Sequence, residues 1–377
     1  MRVALVHDWL TGMRGGEKCL EVFCELFPSA DLYTLVYAPE KVSPTVRHME
    51  IKTSFINRLP WARRAYRYYL PLFPAAIERF TLGRHDLVLS SSHCVAKGIL
   101  PNGALHIAYV HAPMRYVWDQ HDSYFGANSG WMSRTGMALC RRYLQQWDVR
   151  SASRVDYFIA NSKNVAAKIK NLYGRDAAVI YPPVDVEKFN LHPDVHTYYL
   201  IVSALVPYKR VEIAIEAFNR LRLPLKIVGE GPLRTKLRKL SQPNIEFLGW
   251  VDDQDLAALY NRCQALVFPG EEDFGIVPLE AQASGRPVIA YRRGGVLETV
   301  VPLEAENAGS ATGIFFSEPN AESLVAAVEL FQRIREGFEP AKIRRHACKF
   351  SRERFKTQIS DYIAAHIREH KSEAKAC

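Results

Sequence analysis

Long hydrophobic runs are missing from this sequence. No apolar stretch approaches the roughly 18 residues that a membrane-crossing helix needs, so no part of the chain reads as a helical span. The apolar start at residues 1–6 meets His7 and Asp8 at once, which argues against a signal peptide and leaves the cytoplasm as the expected location. Cysteine is present without a pattern. The seven residues, at positions 19, 24, 94, 140, 263, 348 and 377, are odd in number and show neither C-x-x-C nor metal-ligand spacing. Reduced, mostly buried thiols are therefore expected rather than a disulfide framework or a zinc site. Also absent are a short internal repeat, a low-complexity segment, a nucleic-acid-binding motif, a G-x-G-x-x-G fingerprint and a D-x-D pair at a strand end. The last absence leaves no evident metal site, since Asp252-Asp253 opens a predicted helix and reads as a cap.

What remains is an ordinary globular composition, 48% hydrophobic and 24% charged, which argues against disorder. The net charge of +9 calls for an anionic partner, and without a nucleic-acid motif the choice narrows to a phosphorylated substrate or an acidic lipid surface. A chain of 377 residues is long for one core, and two domains of about 180 residues each are expected. Strand patterns at 2–7, 87–92, 106–111, 155–162 and 177–181 alternate with helical ones in the first half. Pro182-Pro183 closes that half, and 189–197 reads as a linker. The second half repeats the alternation, with strands at 198–204, 225–228, 245–251 and 265–268. Such alternation predicts parallel sheets covered by helices: an α/β chain of two Rossmann-like domains, one over 1–185 and one over 198–350.

Residues 265–301 carry the densest chemical signal. A short apolar strand stops at Pro269-Gly270, and a helix is predicted with Pro278 in its first turn and a stop at Gly285. The N–H groups of Phe274, Gly275, Ile276 and Val277 then point out of the helix start, where an anion is held by unpaired donors and the helix dipole. Glu272 and Glu280, spaced E-x7-E, bracket that start, and a carboxylate accepts hydrogen bonds from vicinal diols. A diphosphate flanked by two hydroxyl-rich groups fits this pattern. The glycine-rich turn at 11–18, TGMRGGEK, opens a helix after the first strand, and Gly15-Gly16 would let backbone approach a phosphate or sugar.

With its strand, Phe-Gly, helix, GRPVIA strand and Gly294-Gly295 turn, the E-x7-E segment resembles the family 4 retaining glycosyltransferases, and the likeness runs over nearly the whole chain. The resemblance implies the GT-B arrangement, two Rossmann-like domains facing a cleft, with the last helix (351–377) crossing back onto the first domain. It implies that Glu272 contacts sugar hydroxyls and Glu280 the ribose, with Phe274, Gly275 and Ile276 lining the sugar and phosphates. His111, at a strand end, becomes a polar contact to the transferred sugar, Arg115 a further cleft residue, and Gly15 and Gly16 lie beneath the diphosphate. Lys209 becomes the cation that neutralises the leaving diphosphate. Family members usually carry an arginine five positions earlier, where this sequence has Ala204, so Arg210 is the nearest substitute.

The phrases HAPMRYVWD and EEDFGIVPLEAQASGRPVIA look like bacterial mannosyltransferases of surface polysaccharide assembly. That implies a hexose, mannose from GDP-mannose, moved without a metal or other cofactor to a saccharide or polyprenyl-diphosphate-linked acceptor. A UDP-sugar donor, a degenerate non-catalytic glycosyltransferase and a two-lobed binding protein are the alternatives. One more segment, PWARRAYRYYL at 60–70, is expected to be a helix with Trp61, Tyr66, Tyr68 and Tyr69 on one face and Arg63, Arg64 and Arg67 on the other, the basic face being either solvated or a dock for anionic lipid or a polyprenyl diphosphate at the inner membrane surface.

Overall fold

The computed structural model describes residues 1–118, 131–304 and 309–376. The chain divides into two compact units, Met1–Pro183 with Glu353–Cys377, and Val184–Arg352.

The first unit is built on seven parallel strands: β1 (Val3–His7), β2 (Asp31–Thr34), β3 (Glu50–Thr53), β4 (Leu87–Ser92), β5 (Leu105–Val110), β6 (Tyr157–Ala160) and β7 (Ala177–Val179). Their order across the sheet is β3-β2-β1-β4-β5-β6-β7, with β1 central and paired to both β2 and β4. Every residue of β1, β4 and β5 is buried, as near-continuous apolar strands must be when helices cover both faces. On one face the helix Gly15–Leu26 sets Cys19, Leu20 and Phe23 onto Leu5, Leu89 and Tyr109. The helix Arg352–Ala376 joins the same layer, because Phe355, Ile359 and Ile363 fall at helical spacing and all three are buried there. The return of the last helix to the first unit thus agrees with what the resemblance implies. The helix continues to Ala376.

The second unit holds six parallel strands: β8 (Tyr199–Val202), β9 (Leu225–Val228), β10 (Ile245–Gly249), β11 (Leu266–Phe268), β12 (Val288–Tyr291) and β13 (Gly313–Phe316), in the order β10-β9-β8-β11-β12-β13. The helices Val211–Leu221 and Ala321–Ile334 cover one face with Ala214, Phe218, Leu324 and Phe331. Asp252 caps the helix Asp253–Arg262 as expected, its carboxylate accepting from the N–H groups of Gln254 and Asp255. Residues 189–197 are pinned to this unit, since Arg344 donates to the Phe189 carbonyl and Arg286 to that of His192 at 2.6 Å.

The segment at 60–72 departs from the expected helix. Trp61 sits in the left-handed region with φ 53°, only Ala62–Ala65 is α-helical, and Tyr66–Leu72 is a 3-10 turn carrying Pro71. Breaking the helix breaks its faces. Ala62, Tyr66 and Leu70 go inside, while Trp61 and Tyr68 stand 84% exposed beside Arg63 and Arg64. Arg67 leaves the basic face: its Nε donates to the Tyr116 hydroxyl at 3.3 Å and its guanidinium lies over the Tyr66 ring.

Candidate functional site

In the second unit, the neighbouring strands β8, β11 and β12 deliver three loops side by side at their carboxyl ends, the place where open parallel sheets hold ligands. The loop after β8 makes a short turn at Pro207–Lys209, and the Lys209 ammonium rests on the Glu272 carboxylate from the loop after β11. The loop after β12 holds Glu272 from the other side. Gly295 N–H donates to the Glu272 carbonyl at 2.8 Å, and Gly294 is bridged to Glu272. A Cβ on Gly294 would fall 2.3 Å from the Glu272 carbonyl oxygen, and one on Gly295 would fall 2.4 Å from the Phe274 Cα. Side chains are therefore excluded here, and the Gly-Gly pair is what lets two loops lie backbone on backbone.

Gly275, at φ 90°, turns the chain into the helix Ile276–Ala283, with Pro278 in its first turn. Phe274 is buried against Phe350, their ring centroids 6.0 Å apart, so what this residue offers a ligand is backbone. Glu280 lies deeper than an acidic residue of an outer helical turn: it is 9% exposed, and its Oε2 accepts from the fully buried Tyr260 hydroxyl at 3.0 Å. Burial, reinforced by the Glu280 carboxylate, pushes the Tyr260 phenol well above its usual range and keeps it a donor. Arg210 occupies the left-handed region at φ 51°, its guanidinium 5.2 Å from the centre of the Tyr291 ring. Its Nη1 is buried without a hydrogen-bond partner among the described residues. Ala204, by contrast, is exposed.

The first unit has its own cluster at the carboxyl ends of β1, β4 and β5. Asp8, fully buried, accepts from the backbone N–H groups of His93, Cys94, Val95 and Ala96 at 2.6–3.0 Å and meets His93 Nδ1 at 3.1 Å. His7 Nδ1 lies 3.0 Å from Ser91 Oγ, which lies 2.8 Å from His111 Nε2. Burial pushes the His7 and His93 pKa values down to about 3. The positive charges of Arg115, Arg14 and Arg67 add to the effect on His93. His111 is likewise held well below its usual range by burial and by His93, His7 and Arg115, so all three rings are neutral at pH 7. Gly15 and Gly16 start the helix Gly15–Leu26 directly above, where a Cβ on Gly16 would lie 3.6 Å from His111 Nε2 and from His7 Cε1.

The residues named from the sequence thus gather in two sets. Lys209, Arg210, Glu272, Phe274, Gly275, Ile276 and Glu280 share the loop edge of the second sheet. Gly15, Gly16, His111 and Arg115 share that of the first. Asp119, which ends the HAPMRYVWD phrase, lies outside the described residues. Sequence reading passed over Asp8, Ser91 and His93. The available signal was polar residues directly after buried strands, HD after VALV and SSSH after LVL. Tyr260 gave no signal, because only folding brings it to Glu280.

Family models match both halves: "Glycosyltransferase Family 4" over residues 13–188 and "Glycosyl transferases group 1" over 185–348. Between them the two models span residues 13–348, and along that length the chain is similar to family 4 glycosyltransferases. Its relatives include O-antigen chain mannosyltransferase C of Escherichia coli, 31% identical over 163 residues, 38% of this chain and 44% of that protein. The GDP-mannose-dependent alpha-mannosyltransferase of Mycolicibacterium smegmatis is 32% identical over 223 residues, 56% of this chain and 58% of the relative. The first of these matches spans less than half of the relative's length. Among solved structures, HepE of Anabaena in complex with UDP is similar with a TM-score of 0.72 over 97% of this chain and all of that one. At 16% identity that likeness concerns the fold alone, two parallel-sheet α/β domains of the GT-B type.

Proposed function

We propose that this protein is a family 4 glycosyltransferase that moves a hexose, mannose from GDP-mannose, to a saccharide acceptor carried on a lipid diphosphate, with retention at the anomeric carbon and without a metal ion. The observation that carries the reading is the contact between Lys209 and Glu272 beside the Gly275 turn into the Ile276–Ala283 helix. A cation, a hydroxyl-binding carboxylate and a helix start converge on one loop edge. In the free protein the two charges neutralise each other, and a bound donor would give Lys209 a phosphate and Glu272 sugar hydroxyls. Negative charge on the leaving diphosphate grows in the transition state, so Lys209 and the helix N-terminus act on rate more than on ground-state binding. Glu280, steadied by Tyr260, takes the ribose. Backbone at Phe274, Gly275 and Ile276 meets the phosphates, and Arg210 supplies the second cation that Ala204 lacks. His111 and Arg115 are polar contacts to the sugar, with Gly15 and Gly16 as bare backbone near the phosphates. The choice of mannose and GDP rests on what the two mannosyltransferase relatives are called.

Calorimetry with GDP, UDP, ADP and their sugars, followed by turnover in excess chelator, tests this reading. GDP-mannose should bind tightest and turnover should survive the chelator. Preference for UDP-sugars would replace the donor, and loss of activity with chelator would overturn metal independence. The acceptor side rests on the exposed Trp61 and Tyr68 beside Arg63 and Arg64, aromatic and basic groups suited to a lipid headgroup layer. The protein should co-sediment with anionic vesicles and be released by salt. An Arg63→Glu, Arg64→Glu variant that still sediments would remove the dock.

A further inference from the structure

The row His7, Ser91, His111 runs across three adjacent strands, β1, β4 and the end of β5, and glycosyl transfer as proposed above uses only its last member. The Ser91 hydroxyl has one proton and sits between two imidazole nitrogens, His7 Nδ1 at 3.0 Å and His111 Nε2 at 2.8 Å. With both rings neutral, one nitrogen donates to Ser91 and the other accepts from it, which links the two tautomers. In one arrangement His7 Nδ1–H donates to Ser91 and Ser91 donates to His111 Nε2, so His111 carries its proton on Nδ1. In the other, every bond reverses, and the His7 proton moves to Nε2.

His7 Nε2 decides between them. It is fully buried with no hydrogen-bond partner among the described residues. The reversed arrangement would strand an N–H donor there, while the first leaves only a bare lone pair, and stranded buried N–H groups are the rarer and costlier case. The helix start at Gly16 brings no side chain between the two rings. With Nε2 occupied by Ser91, Nδ1 is the nitrogen of His111 available to a ligand.

We infer that His7, acting through Ser91, holds His111 as its Nδ1–H tautomer, so that His111 presents a hydrogen-bond donor, not a base, to an oxygen of the bound ligand. His7 and Ser91 are then positioning residues. The inference rests on the proposed sugar contact of His111 only for its kinetic consequence; the tautomer itself is a property of the free protein.

The test is nuclear magnetic resonance on full-length protein labelled with 15N at histidine side chains, with His111 signals assigned by their disappearance in His111→Gln. The wild-type spectrum near pH 7.5 should show His111 protonated at Nδ1. Ser91→Ala and His7→Leu should shift it towards Nε2–H, while His7→Asn, whose amide nitrogen stands where Nδ1 does, should keep the wild-type pattern. Protonation at Nε2 in the wild type overturns the proposal without need of any variant, and so does a pattern unmoved by Ser91→Ala or His7→Leu. In turnover assays Ser91→Ala should lower kcat about tenfold, the loss of roughly one hydrogen bond, with little change in donor KM. A wild-type Nδ1–H signature in a protein that turns over no nucleotide sugar would sink the transferase reading and leave the relay in place.

Discussion

Two carboxylates with the same sequence spacing rule end up in different surroundings, and their substitutions should differ accordingly. Glu272 stands in a loop against Lys209, whereas Glu280 is buried under Tyr260. Glu280→Ala would strand the Tyr260 hydroxyl and destabilise the protein, so Glu280→Gln, which keeps an acceptor there, is the cleaner probe. Calorimetry should show Glu280→Gln weakening free nucleotide by about 1–3 kcal/mol, while Glu272→Ala weakens sugar nucleotide more than nucleotide alone; equal losses for both ligands would undo the assignment. Arg210 offers a second test, because a non-glycine residue in the left-handed region costs about 1–2 kcal/mol and persists where something requires it. Arg210→Gly should raise the melting temperature and lower donor affinity together. A stabilised variant with undiminished affinity would make the arginine a packing residue only.

At the scale of elements, one buried pair fastens the helix Trp131–Ser151 to the first sheet. Lys97 Nζ donates to the Asp148 carbonyl at 2.6 Å and to Ser151 Oγ at 2.7 Å and pairs with Asp148 Oδ1 at 3.1 Å. The other carboxylate oxygen accepts from Trp118 Nε1 and the Tyr173 hydroxyl, both at 2.8 Å. Removing one charge of such a pair leaves the other buried and unpaired, so Lys97→Met should cost about 3–5 kcal/mol in denaturant unfolding. Adding Asp148→Asn should recover much of that; if it does not, packing of the lysine stem is the larger contribution. Elements also differ in how well their sequence announces them. The β11 strand and the helix after it are bounded by Pro269-Gly270 and Gly285 and stand out in the chain. β2 and β3, DLYT and EIKT, are short and half polar, so their pairing beside β1 supplies what their own pattern does not. At 60–72 periodicity misleads: Trp61 and Pro71 interrupt the helix, and three tyrosines that would share one face are sorted by burial into inside and outside.

For the whole molecule, the buried titratable groups set a pH profile. His7 and His93 are depressed to about 3 and His106 to about 4, so between those values and their unfolded pKa of 6.5 the unfolded chain binds protons that the folded chain refuses. Their contribution is intact above pH 6.5 and is lost as pH falls towards 3. Glu17 acts in the opposite sense. Burial raises its pKa from 4.5 to about 7, so its cost to the fold builds as pH rises through that window. Burial raises Asp8 in the same sense as Glu17 and lowers His111 in the same sense as the other histidines, so four groups stand against two, and thermal melts should show stability falling from pH 6.5 to 4. Glu17→Gln should raise stability at pH 7.5, by about 3 kcal/mol for a shift of that size, and steepen the acid fall. A flat profile in the wild type would mean that the histidines are hydrated in the folded state. Periodicity and breakers alone determined that this chain forms two parallel-sheet units and that its last helix carries an apolar stripe, because strand, helix and turn preferences act over a few neighbouring residues. The E-x7-E segment was legible for the same reason: its carboxylates, glycines and helix start are local. The contacts Lys209 with Glu272, Tyr260 with Glu280, His7 with Ser91, and Ser91 with His111 span 63, 20, 84 and 20 residues, and no local preference encodes them. Strand order decided them, because only the sheet sets the ends of β1, β4 and β5, or of β8, β11 and β12, side by side.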